Sequence, residues 1–64
     1  MNDLMRTEDV SRETGIAAAT LRFWRFQGTG PRSAKLGRRV VYRRSDVEAW
    51  INEQFETADA RRSA

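Results

Sequence analysis

Glycines divide this chain into short segments, and this division limits the folds that it can adopt. Gly15 and Gly28 each follow a stretch with helical spacing, where a glycine commonly ends a helix because it accepts a left-handed backbone. Gly30 and Pro31 prevent the second helix from continuing, and Gly37 separates two short strand-like stretches. The sequence therefore predicts several short elements that must pack against one another to be stable.

The spacing of apolar residues predicts a small α+β fold: a helix-turn-helix, then a two-stranded hairpin wing, then a third helix. Thr7 is the predicted N-cap of the first helix, whereas Ala17, ahead of the second helix, has no side-chain acceptor. Ser45 and Glu48 have the spacing of a capping box at the start of the third helix. The predicted boundaries are about 8–14, 18–27 and 46–55 for the helices, and about 33–36 and 39–42 for the strands.

With 64 residues, the chain is predicted to form one domain, over residues 1–55. Residues 56–64 have no apolar pattern and are predicted to form a disordered tail. Residues 1–6 are expected to contribute one or two apolar anchors, Leu4 and Met5. The predicted core draws on every element and consists of Leu4, Val10, Ile16, Leu21, Trp24, Leu36, Val40, Tyr42, Val47, Trp50 and Ile51.

The composition argues against enzyme chemistry. The chain has no Cys and no His, which removes the common zinc ligands and the usual general base at neutral pH. No catalytic residue, metal, cofactor or small-molecule substrate is therefore predicted. No apolar run approaches the ~18 residues that cross a membrane, and no secretory leader is visible, so a soluble intracellular protein is expected.

Basic residues are concentrated in one part of the chain. The whole chain has 12 basic and 9 acidic residues, yet residues 32–44 contain six basic residues and no acidic one. This asymmetry is typical of a surface that binds a polyanion, although a basic loop that serves solubility alone gives the same pattern. The six residues are Arg32, Lys35, Arg38, Arg39, Arg43 and Arg44.

The second predicted helix carries the residues expected to contact DNA. In a helix-turn-helix, the N-terminal part of the second helix enters the major groove. Thr20 can donate to a phosphate, Arg22 suits a bidentate contact with guanine, and Arg25 suits a phosphate. The alternative is that both arginines merely solubilise the outer face. The full set predicted on this helix is Ala18, Ala19, Thr20, Arg22, Phe23 and Arg25.

The hairpin is predicted to be a DNA-binding wing. Its basic residues flank the glycine tip at Gly37, and a narrow minor groove attracts arginine. The alanines that begin the second helix offer few base contacts, so affinity is expected to come mostly from phosphates and DNA shape. The predicted wing residues are Lys35, Arg38, Arg39 and Arg43.

Two parts of the sequence resemble small DNA-binding proteins. The start of the MerR-like winged-helix domains is similar to residues 10–24, which contain VSRETGI and TLRFW. The excisionase and AlpA-like branch, small proteins of phages, prophages and mobile elements, is similar to residues 28–50, which contain GTGP, LGRRV and YRRSDVEAW. Together the resemblance covers residues 8–53.

This resemblance implies a winged helix-turn-helix that binds double-stranded DNA and catalyses no reaction. Excisionases are recombination directionality factors, which bind repeated attachment sites, bend the DNA and help integrase to assemble an excising complex. The implied partners are therefore DNA, integrase and further copies of the chain on DNA, with no membrane. The implied location is the cytoplasm of a bacterial host, in association with the nucleoid. The alternative within DNA binding is a small regulator of prophage transcription.

Phe23 and Phe26 lie three residues apart on the second predicted helix, away from the stripe formed by Leu21 and Trp24. Either one of them closes the core beneath the wing, or the pair is exposed and contacts a neighbouring protomer or integrase. A protein-interaction module is therefore the alternative from another functional class.

Overall fold

The computed structural model describes residues 3–63 and confirms the predicted fold class. It contains three helices and a small antiparallel sheet, the arrangement of a winged helix-turn-helix. In chain order, the elements are β1 (Leu4–Arg6), α1 (Thr7–Thr14), α2 (Ala18–Gln27), β2 (Ala34–Leu36), β3 (Arg39–Arg43) and α3 (Arg44–Ser63).

The sheet has three strands in the order β1-β3-β2, because the wing hairpin pairs with the start of the chain. Met5 lies opposite Tyr42 in the register of β1 with β3. The backbone N–H of Arg44 donates to the carbonyl of Asp3 at 2.7 Å, which continues this pairing into the start of α3. Strand β1 was not predicted, since three residues are too few to show an alternating pattern.

The core lies between the sheet and the first two helices, with α3 added at its first turns. Val10, Leu21 and Tyr42 are almost completely buried, and Met5 and Val47 join them. The rings of Trp24 and Trp50 contact each other with centroids 5.6 Å apart, at the edge of this core. The prediction that Leu36 belongs to the core is wrong: its side chain is 53% exposed, because it pairs with Arg39 and so points to the face of the sheet opposite the buried Tyr42.

The turn between α1 and α2 sets the angle of the helix-turn-helix. Gly15 adopts a left-handed conformation, with φ of 79°, and its N–H donates to the carbonyl of Ser11 at 2.8 Å. The Thr14 hydroxyl donates to the Val10 carbonyl and also accepts from the N–H of Ile16. This short turn therefore satisfies its own backbone groups, and α2 begins at Ala18 as predicted.

Gly30 allows the chain to pass closely over α2 after that helix ends. A Cβ atom at this position would lie 3.0 Å from both Cβ and Cε3 of Trp24. The residue also has φ of 78°, a backbone conformation that residues other than glycine rarely adopt. No other residue type would fit here without displacing the tryptophan that anchors α2.

The predicted N-caps of α1 and α3 are wrong, whereas Ala17 is the N-cap of α2 as predicted and makes no side-chain cap hydrogen bond. Helix α1 begins at Thr7, whose side chain is buried, and the N-cap position belongs to Arg6, whose backbone N–H donates to Asp9 Oδ2 at 2.9 Å. Helix α3 begins at Arg44, so Ser45 lies inside its first turn rather than before it. Strand β3 runs directly into α3, which leaves no separate residue for the predicted cap.

Helix α3 is also longer than predicted. The predicted end near residue 55 is wrong: the helix continues to Ser63. Residues 56–63 contain neither Gly nor Pro, which would interrupt a helix. The positive charges of Arg61 and Arg62 in the last turn interact favourably with the negative end of the helix dipole. The side chains at 52–62 are all exposed, so the division into a domain at 1–55 and a tail at 56–64 stays a prediction. Residues 1, 2 and 64 of those ranges lie outside the described part.

Candidate nucleic-acid interface

Helix α2 presents its basic residues because its opposite face is buried. Leu21 is 1% exposed and Trp24 packs against the core, which turns Arg22 and Arg25 outward. Within the predicted recognition set, Ala18 and Thr20 are half-buried, and the exposed members are Ala19, Arg22, Phe23 and Arg25.

A groove between α2 and the wing brings arginines from three elements together. Its volume is about 430 Å³, and we call it the arginine groove. Arg22 and Arg25 come from α2 and Arg39 comes from β3, as expected for a helix and a wing that act together. The residues that line it are Arg6, Thr7, Glu8, Arg22, Arg25, Arg39 and Val40.

Sequence reasoning missed Arg6 and Glu8 in this groove. Arg6 reaches it because β1 pairs with β3, opposite Val41, and this long-range pairing leaves no local signal in the sequence. Glu8 lies in the first turn of α1, where an acid is expected for helix stability alone. Its position beside α2 depends on the tertiary packing of the two helices.

The predicted wing residues do not all line one groove. Lys35 and Arg38 are exposed on β2 and in the turn, outside the lining of the arginine groove. Arg43 lines a second groove together with Asp46, and its Nε donates to Asp46 Oδ2 at 2.7 Å. Among the predicted wing residues, the structure therefore joins Arg39 alone to the arginines of α2.

Some of the described arginines form ion pairs with carboxylates, and others do not. Within residues 3–63, exposed ion pairs hold Arg12, Arg22, Arg43 and Arg44, whereas Arg6, Arg25 and Arg39 form none. The guanidiniums of those last three residues can therefore donate hydrogen bonds to phosphate oxygens without first breaking an ion pair.

Arg44 belongs to the basic stretch but serves the fold. It donates from Nη1 and Nη2 to the two carboxylate oxygens of Glu13, at 2.8 and 3.1 Å, and so ties α3 to α1. These hydrogen bonds lower the pKa of Glu13 and raise the pKa of Arg44. The pKa of Asp9 is also lowered, chiefly by the hydrogen bond from the Arg6 backbone and then by the bond from Arg12.

Both phenylalanines of α2 are exposed. Phe23 is 57% exposed and Phe26 is 88% exposed, so neither closes the core beneath the wing. The first of the two alternatives given above is therefore wrong. Their contact with a partner stays a prediction.

The described range offers neither a metal-binding cluster nor a membrane-spanning helix. Residues 3–63 contain no group of three or more His, Cys, Asp or Glu side chains that could hold a metal ion. No helix in this part of the chain is long and apolar enough to cross a membrane.

Comparison with known families agrees with this geometry. A family model described as a helix-turn-helix domain matches residues 4–54, from the first strand into α3. The match covers most of the chain, and the protein therefore belongs to this helix-turn-helix domain family. The family includes small DNA-binding proteins of excisionase-like and AlpA type, and membership indicates DNA binding. No similar curated protein and no similar solved structure was found.

Proposed function

We propose that this protein binds double-stranded attachment-site DNA and acts as an excisionase, which directs integrase toward excision. The arginine groove is the observation that supports the DNA contact most strongly. Four arginines from three separate elements line one concave surface of about 430 Å³. Convergence of positive charge on one face is the electrostatic footprint of a nucleic-acid interface.

In this proposal α2 lies in the major groove and Arg22 contacts a base edge. Its guanidinium is exposed and stands near the start of the helix, where helix-turn-helix proteins read bases. A bidentate contact with O6 and N7 of guanine is the contact that arginine makes best. Ala18 and Ala19 can add few further base contacts, limited to apolar contact with thymine methyl groups.

Phosphates would supply most of the affinity. Arg6, Arg25 and Arg39 are free of ion pairs in the described chain and surround the place where Arg22 meets the base. Lys35 and Arg38 at the exposed end of the wing would reach the neighbouring backbone or minor groove. Such binding depends steeply on salt, because each neutralised phosphate releases counterions.

The excisionase role is proposed from the resemblance to the excisionase and AlpA-like branch together with family membership. The role needs no bond-making chemistry: the protein coats or bends DNA and positions integrase. A domain this small contacts few bases, so specific binding would require several copies on repeated sites, or help from integrase. We place this activity in the bacterial cytoplasm, on the DNA of the nucleoid.

Two experiments test the proposal in order. Binding of the purified protein to duplex DNA, measured by fluorescence anisotropy, should weaken with salt with a slope of about −3 or steeper in log K against log salt, since three free arginines reach phosphates. A slope near zero would contradict the arginine groove as the interface. An excision assay with an integrase encoded beside the gene then tests the recombination role: the protein should raise the yield of excised circles.

Two other functions give different results in these experiments. A prophage transcriptional regulator would bind DNA and change a promoter reporter without changing excision. A protein-interaction module is favoured by the exposed Phe23 and Phe26, and it would bind no DNA even at low salt. The salt-dependent binding and the excision yield therefore distinguish all three.

A further inference from the structure

Glu8 places a negative charge inside the arginine groove. Among the described residues that line this groove, Glu8 is the single acid and four are arginines. Its Oε2 accepts a hydrogen bond from Nη2 of Arg22 at 2.9 Å. The pair joins the first turn of α1 to α2 and engages the same guanidinium that is expected to read a base.

Stability does not explain this arrangement well. The two side chains are 63% and 60% exposed, and an ion pair in that setting contributes little because water screens it. A carboxylate in the groove also repels DNA phosphates, so it weakens binding to any sequence. An acid at this position therefore opposes general affinity, which calls for a functional reason.

We propose that Glu8 is a specificity-determining residue for DNA binding. This inference rests on the DNA-binding function proposed above. On DNA of arbitrary sequence the Glu8–Arg22 pair stays closed, and the groove contributes one positive charge fewer. Where a guanine is correctly placed, its O6 and N7 accept from guanidinium N–H groups that the carboxylate leaves free, so Glu8 keeps its bond to Nη2 and holds Arg22 in the orientation that reads the base. Glu8 thus lowers the affinity for random DNA more than the affinity for the proper site, which is how a repulsive element creates specificity.

Glu13 provides a matched control on the same helix. It also forms an exposed pair with an arginine, Arg44, at 2.8 Å, but it does not line the arginine groove. Glu8→Gln and Glu13→Gln each remove one carboxylate charge from α1 and weaken one ion pair. Any effect of net charge alone is therefore the same in both variants.

The test uses two DNA probes: a random-sequence duplex and the duplex that the wild-type protein enriches from a random pool. Glu8→Gln should bind the random duplex about fivefold more tightly, which is the effect of one unit charge about 4 Å from a phosphate in water. Its affinity for the enriched duplex should rise less, so the ratio of the two affinities falls. Glu13→Gln should leave that ratio unchanged.

A double variant tests whether Glu8 acts through Arg22. In an Arg22→Ala background, Glu8→Gln should no longer change the affinity ratio, because no guanidinium remains for the carboxylate to orient. The proposal is overturned if Glu8→Gln and Glu13→Gln change the ratio equally, if the effect persists without Arg22, or if the wild type enriches no sequence. If the wild type binds neither duplex at low salt, the DNA-binding function itself fails, and the proposal fails with it.

Discussion

Arg39 and Arg43 offer the sharpest test of which groove beside the wing meets DNA. Both are exposed arginines of β3, four residues apart, so that replacing either one by alanine removes the same guanidinium group. Arg39 lines the arginine groove, whereas Arg43 lines the other groove and is held by Asp46 at 2.7 Å. Arg39→Ala should therefore weaken DNA binding, and Arg43→Ala should not.

The size of the effect follows from counterion release. One phosphate contact contributes about 0.9 to the slope of log K against log salt, so it accounts for about a 3.5-fold loss of affinity when salt rises from about 50 to 200 mM. Over that interval, Arg39→Ala should lose about 3.5-fold less affinity than the wild type. Its slope should be shallower by about one unit, and the Arg43→Ala slope should equal the wild-type slope.

The assay is fluorescence anisotropy with a labelled duplex over a salt series, with circular dichroism to confirm that both variants keep their helices. Equal slopes for Arg39→Ala and the wild type would refute the role of the arginine groove. A shallower slope for Arg43→Ala alone would move the interface to the second groove, which Arg43 lines. Equal losses in both variants would mean that the whole wing, rather than one groove beside it, lies against the phosphates.

Four further outcomes are expected. Gly30→Ala should lower the free energy of unfolding by about 1–3 kcal/mol in urea denaturation, because alanine is strained at this φ and would crowd the ring of the neighbouring tryptophan; an unchanged midpoint would contradict this packing. The pKa values of Asp9 and Glu13 are lowered on folding, so their carboxylates stabilise the folded state at pH values above the ordinary pKa values of 3.8 and 4.5. This stabilisation is lost as the pH falls through the pKa values of the folded state. The free energy of unfolding of the double variant Asp9→Asn, Glu13→Gln should therefore fall less steeply with decreasing pH. Phe26→Ser should leave the fold and single-site binding intact and abolish cooperative binding to repeated sites, since this side chain is 88% exposed; unfolding of the variant would place the residue in the core instead. Deletion of residues 56–64 should leave the thermal midpoint within a few degrees of the full chain, and a large decrease would show that this segment belongs to the domain.

Elements that are bounded by a glycine and marked by a clear residue pattern were predictable from the sequence. Helix α2 has the predicted boundaries because Gly28 ends it and because Leu21 and Trp24 mark its buried face. The hairpin was placed to within a residue by Gly37 and the β-formers that follow it. In both cases local conformational preference and tertiary packing favour the same structure.

Features that depend on long-range contacts were not predictable. Strand β1 exists because β3 offers an edge for pairing, and that edge also brings Arg6 into the arginine groove. The exposure of Leu36 follows from its register with Arg39, which places it on the face of the sheet away from Tyr42 and which its apolar character does not reveal. The local sequence likewise predicts the same DNA-binding role for Arg39 and Arg43, and only the fold places them in different grooves.

An NMR titration with duplex DNA tests the arginine groove as the DNA interface most directly. Arginine side-chain Nε–Hε signals report each guanidinium separately, so the contact can be mapped residue by residue. Binding should shift the signals of Arg6, Arg22, Arg25 and Arg39 while the signal of Arg44, bonded to Glu13, stays in place. If DNA leaves the four groove signals unchanged, or shifts them no more than that of Arg44, the arginine groove is not where this protein binds DNA.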